Sequence, residues 1–163
     1  MTFEEYQKEA VKFRTETANN EEYLTLGLIE EVGEAVGKLA KRRRDGVWDE
    51  KAFIKELGDI LWFVANFADY HDKNNGTDYF EQLKDSFDGK THSLLTEIED
   101  VVSAISWASD VVEGFDYLHN LVFDIGCLAY RYGYTLEQVA EINLAKLRDR
   151  AARGKIQGNG DER

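Results

Sequence analysis

Apolar residues recur three and four positions apart along nearly the whole of this chain, and no segment alternates apolar with polar residues as a half-buried strand must. A polypeptide patterned in this way buries its apolar surface by packing helices on helices, so the fold class is all-α. The 163 residues contain no proline, and helix ends are therefore read from glycines and capping residues. Thr2 and Glu5 have the capping-box spacing and open a helix over about residues 3–18. A second helix spans about 21–44, with Leu28, Val32, Ala35, Val36 and Leu39 as its stripe, and ends at Asp45-Gly46. Asp49 caps a third, about 50–71, striped by Phe53, Leu57, Ile60, Leu61, Val64 and Phe67. These two long helices form an antiparallel hairpin.

A polar connection with a short helix at about 79–86 follows, covering about residues 73–90. A second hairpin then joins a helix at about 92–112, striped by Leu95, Ile98, Val102, Ile105 and Ala108, to one at about 115–132, striped by Leu118, Leu121, Val122, Ile125 and Leu128. Gly133 ends that helix, and Thr135 with Gln138 opens the last, about 136–152, ahead of a Gly-rich tail. The expected architecture is two helical hairpins plus N- and C-terminal helices in one domain, residues 1–163.

Composition narrows the function. The chain is 43% apolar and 12% aromatic, which argues for a packed core, and no apolar run approaches the ~20 residues that cross a bilayer. No basic segment leads from Met1 into an apolar stretch, and Cys127 is the single cysteine. A cytoplasmic protein with no membrane partner is the expectation. Its net charge of −12 disfavours a nucleic-acid partner. Basic residues nevertheless gather at Lys38, Lys41, Arg42, Arg43 and Arg44, and again from Lys146 to Lys155, which suits a small phosphorylated ligand.

Four carboxylates carry the chemistry. Glu31 and Glu34 lie three apart on the second helix, as Glu56 and Asp59 do on the third, so each pair leaves one helical face. With those faces turned inward, the four converge, and like charges at a few ångströms demand a compensating cation. Oxygen donors without His or Cys point to Mg²⁺, with Mn²⁺ possible. A di-iron carboxylate bundle needs Glu-x-x-His motifs, and none of His71, His92 or His119 has a Glu three residues before it. Gly33 and Gly58 sit inside the two motifs, where close helix approach or ligand access would account for them.

Glu30-Glu31-Val32-Gly33-Glu34 followed by Glu56-Leu57-Gly58-Asp59 resembles the EExxE and ExxD signature of the MazG-like pyrophosphohydrolases, relatives of the all-α dUTPases and dCTP pyrophosphatases. Phe3 to Gln7, Lys41 to Gly46, Leu57 to Trp62, Thr135 to Arg150 and the Gly-rich tail from Arg153 resemble further family segments, so that residues 1–72 and 130–163 are covered. The resemblance implies a Mg²⁺-dependent hydrolase that splits a nucleoside triphosphate into the monophosphate and pyrophosphate. Glu31, Glu34, Glu56 and Asp59 are then the catalytic and metal-binding residues. Lys38 and Lys41 line up one turn apart beyond Glu34. Lys146 and Arg150 match phosphate-contacting positions of the closing helix in relatives, and Asn143 is a candidate for the sugar or base. Trp62, Phe63 and Asn66 are candidates to stack on the base and bond it. Homodimerisation is likewise a family expectation. The alternative is a non-catalytic helical module that keeps the fold and binds nucleotide or a partner.

The segment at about 73–130 departs from compact members of the family. It echoes the first hairpin, with Glu97 and Asp100 in the places of Glu31 and Glu34 and Asp124 near that of Asp59, but Leu121 stands where Glu56 would be. An inserted, duplicated and degenerate hairpin is the expectation, as in the doubled single-chain arrangement of dimeric dUTPases.

Overall fold

The computed structural model describes residues 1–83, 96–111 and 114–155. Among them the chain is all-α: α1 (Phe3–Ala10), α2 (Glu21–Asp45), α3 (Glu50–Asn75), α4 (Tyr79–Leu83), α5 (Glu97–Ser109), α6 (Phe115–Arg131) and α7 (Leu136–Ala152). Local chemistry sets the ends. Capping boxes at Thr2/Glu5, Thr96/Glu99 and Thr135/Gln138 start α1, α5 and α7, while Asn20 and Asp49 cap α2 and α3 by accepting from Tyr23 N and Ala52 N. Gly46 and Gly76 close the two long helices in the left-handed conformation that only glycine adopts cheaply.

Helix α3 is the centre of the fold, packed against α1, α2, α4, α6 and α7. Phe53, Leu57, Ile60, Leu61, Val64 and Phe67 are all buried along it, each worth about 1.5–3 kcal/mol relative to exposure. At the far end of the α2–α3 hairpin, Trp48, Phe53 and Tyr132 stack with ring centroids 5.1–5.3 Å apart, and Arg42 lies 4.8 Å over Trp48. Arg42 also donates to the Tyr132 hydroxyl at 2.6 Å and to Glu97 at 3.2 Å. This clamp ties α2 and α3 to the start of α5 and to the turn before α7.

Three expectations need correction. The first helix does not run to residue 18: it ends at Ala10, and two 3-10 turns, Val11–Phe13 and Glu16–Ala18, follow. Arg14 and Thr15 between them are extended, because Arg14 turns back to donate to Asn66 O at 2.9 Å and to Asp69 Oδ2 at 2.6 Å. The fifth element does not start at 92. Thr96 is extended and caps α5, and residues 92–95, like 84–86 of the expected short helix, lie outside the described residues.

The stripe of α5 is also rotated. Ile98, Val102 and Ile105 are 57%, 60% and 40% exposed, whereas Asp100, Val101, Ala104 and Ala108 are buried. Arg131 of α6 donates to Asp100 Oδ2 at 2.7 and 2.9 Å, and this pair turns the Asp100 face inward. Leu95 lies outside the described residues. The stripe of α6, Leu118 through Leu128, is buried.

The two motif glycines differ. A Cβ on Gly58 would meet Asn143 Cβ at 3.0 Å and Val139 O at 3.4 Å, so glycine there permits the contact of α3 with α7; one on Gly33 would meet nothing within 4 Å. Gly58→Ala is expected to destabilise the protein by about 1–3 kcal/mol, and Gly33→Ala to stabilise it by up to about 1 kcal/mol. Urea denaturation of the two variants measures both signs.

Candidate functional site

The antiparallel packing of α2 on α3 faces the two acidic motifs toward each other. One carboxylate oxygen from each of Glu31, Glu56 and Asp59 lies within 4.8 Å of the other two. Glu34 lines the same cavity but stands outside this triad. It is close enough for its charge to act on Glu31, whose carboxyl is pushed up to about 8 by burial, then by Asp59, then by Glu34. Burial also raises Asp59, against the opposing pull of Lys146.

Two lysines offset this charge. Lys38 Nζ is 2.9 Å from Glu56 Oε1, and Lys146 of α7 pairs with Asp59 Oδ2. Asp59 Oδ1 is held from the other side, accepting from Asn143 Nδ2 at 3.0 Å. Asn143 Oδ1 in turn accepts from the buried Tyr6 hydroxyl at 2.9 Å. A chain of hydrogen bonds from α1 through α7 thus orients a carboxylate on α3, and Gly58 lets α7 come near enough to do it.

The cavity over the triad has a volume of about 1250 Å³. Glu30, Glu34, Lys38, Lys146 and Arg150 line it, together with Trp62 and Phe63. Three expected ligand contacts do not line the cavity. Lys41 is exposed and away from the cavity. Asn66 is fully buried, its amide donating to Trp62 O at 2.7 Å. Asn143 is 1% exposed and committed to Asp59 and Tyr6. Of the basic cluster after Lys41, Arg42 and Arg43 engage Glu97 and Arg44 engages Asp45.

Residues that sequence reasoning missed also line the cavity: Phe13, Thr15, Thr17, Tyr23 and Lys55. Lys55 was findable, because it precedes Asp59 by one turn. The N-terminal residues were not, since the expected continuous helix put them on no particular face of the site.

Three facing carboxylates with oxygen donors only, one of them raised by burial to about 8, fit a hard divalent cation. Without a cation, the folded protein retains a proton on Glu31 that the unfolded chain, at the ordinary value of 4.5, has released. Stability should therefore fall as pH rises from 4.5 toward about 8. Melting temperatures in chelator across that window are expected to decline, and Glu31→Gln is expected to flatten the slope.

Residues 19–88 match the family model of the MazG nucleotide pyrophosphohydrolase domain. That segment contains α2, α3 and all four carboxylates. The Gene 37 protein of Mycobacterium phage L5 is 40% identical over 55 residues, 31% of this chain and 48% of the phage protein. The chain thus spans about half the length of that relative. No solved structure matches the chain. Among the described residues, no helix is long and apolar enough to cross a membrane.

Proposed function

We propose that the protein hydrolyses a nucleoside triphosphate to the monophosphate and pyrophosphate, with Mg²⁺ or Mn²⁺ as its cofactor. The observation that carries this reading is the triad of Glu31, Glu56 and Asp59 inside one large cavity, within a segment that matches a pyrophosphohydrolase domain. Glu31, Glu56 and Asp59, with Glu34 beside them, would hold the metal, which supplies Lewis-acid stabilisation of phosphate oxygens and a more acidic water.

The chain's own groups do the rest. Asp59 is fixed by Asn143 and Lys146, so a ligand oxygen meets a preset carboxylate rather than a mobile one. Glu34, outside the triad but on the cavity wall, would help to orient the attacking water from beside the metal. As the bond between the α and β phosphates breaks, charge passes to the departing pyrophosphate. Lys38, Lys55, Lys146 and Arg150 line the cavity and would offset it.

The hairpin α5–α6 fits a second copy that has lost its metal chemistry. Its Glu97 is engaged by Arg42, Arg43 and the Tyr132 hydroxyl, and its Asp100 by Arg131. On this reading the chain's own guanidinium groups take the part that a cation would play in the first hairpin. We place all of this in one domain that acts as a cytoplasmic homodimer without nucleic acid. The exposed stripe of Ile98, Val102 and Ile105 is the face such a dimer would cover, and light scattering should give twice the 18.7 kDa of the chain.

Incubation with Mg²⁺ and a panel of nucleoside triphosphates should yield monophosphate and pyrophosphate on chromatography; release of inorganic phosphate alone contradicts the reading. Glu31→Gln and Asp59→Asn are each expected to lower kcat on the order of 100-fold or more.

A further inference from the structure

The cavity has a direction. Along α2 the order is Tyr23, Gly27, Glu31, Glu34, Lys38, and along the antiparallel α3 it is Phe63, Trp62, Asp59, Glu56, Lys55. Both helices therefore run from an aromatic end, through the carboxylates, to a cationic end. Phe63 meets Tyr23 with centroids 5.8 Å apart and Trp62 at 4.9 Å. Gly27 makes room for this, because a Cβ there would lie 2.2 Å from the Phe63 ring.

The aromatic end is closed by the segment of residues 11–18, the two 3-10 turns that interrupt what periodicity reads as helix. Four bonds fasten this strap and its approach to α3: Trp62 Nε1 donates to Ala10 O at 3.1 Å, Gln7 Nε2 to Ala65 O at 3.0 Å, Arg14 Nη1 to Asn66 O at 2.9 Å and Arg14 Nη2 to Asp69 Oδ2 at 2.6 Å. Trp62 has its one N–H engaged, so only its faces and edges remain to meet a ligand. On the strap, the Thr15 and Thr17 hydroxyls lie 3.1 Å apart and both residues line the cavity. Each hydroxyl has one proton and two lone pairs, so the pair keeps hydrogen-bonding capacity beyond its mutual bond. Among the strap's cavity-lining residues, these two side chains alone carry a polar group.

We propose that the nucleobase binds at this aromatic end, against Trp62 and Phe63, with its polar edge turned to Thr15 and Thr17, and that these two hydroxyls set the base preference. The phosphates then lie over the carboxylates, with the departing pair toward Lys38 and Lys55. This orientation rests on the activity proposed above. The base preference, by contrast, is a binding property that stands or falls on its own measurement.

The test compares the wild type with Thr15→Val, Thr17→Val and the serine variants at both positions. kcat and KM are measured for triphosphates of the four bases, and monophosphate binding is measured by titration calorimetry with Mn²⁺. The valine variants are expected to compress the ratio of kcat/KM between the best and worst base about tenfold, through KM, with the serine variants restoring it. The monophosphate affinities should compress in parallel. Thr17 is exposed, so Thr17→Val decides the matter should Thr15→Val fail to fold. If no triphosphate turns over but the monophosphate ranking still collapses in the valine variants, the activity is wrong and the base site stands. A wild type that treats all bases alike, or valine variants that keep the wild-type ratio, overturns the inference.

Discussion

The structure depends on gathering carboxylates where water cannot fully solvate them. Glu31, Glu56 and Asp59 approach within 4.8 Å, and burial first, then the neighbouring Asp59 and Glu34 charges, raise the Glu31 carboxyl. An isolated α2–α3 hairpin would relieve such repulsion by splaying. It stays closed because apolar side chains bury on both sides of the acidic faces, from Leu24, Leu28 and Phe67 at one end to Leu39 and Phe53 at the other, and because Lys38 and Lys146 bring positive charge to the same spot.

Much of the remaining architecture serves to hold Asp59. Helix α7 reaches it with Asn143 and Lys146, α1 backs Asn143 through Tyr6, and Gly58 removes the one side chain that would keep α7 away. Three helices distant in sequence therefore converge on a single carboxylate. The α5–α6 hairpin, in contrast, buries Asp100 against Arg131 and leaves aliphatic side chains outside. It joins the first hairpin through the Trp48, Phe53 and Tyr132 stack and the Arg42 to Glu97 contacts.

The sequence was a good guide to helix type and a partial guide to helix orientation. Caps such as Thr2, Asp49 and Thr135 are local devices, and they operate as their spacing indicates. Periodicity misassigned α5 because a helix with apolar residues on more than one face does not say which face is inside. It also missed the break after Ala10, because the bonds that cause it come from Arg14 to Asn66 and Asp69, partners more than fifty positions away. Lys41 and Asn66 looked like ligand contacts for the reason that they follow the acidic motifs; rotation about the helix axis sends one to solvent and the other into the core.

By itself the sequence determined that the chain is all-α, where most helices begin, and that two acidic pairs sit three residues apart on neighbouring helices. Those properties follow from side-chain period and capping, interactions that span four residues or fewer. Only the tertiary structure decided that Glu31 joins Glu56 and Asp59 while Glu34 stands beside them, that Asn143 and Tyr6 steady Asp59, and that residues 11–18 close one end of the cavity. Those outcomes depend on how far apart helices sit and how each is turned about its axis, and both are fixed by the packing of the whole core.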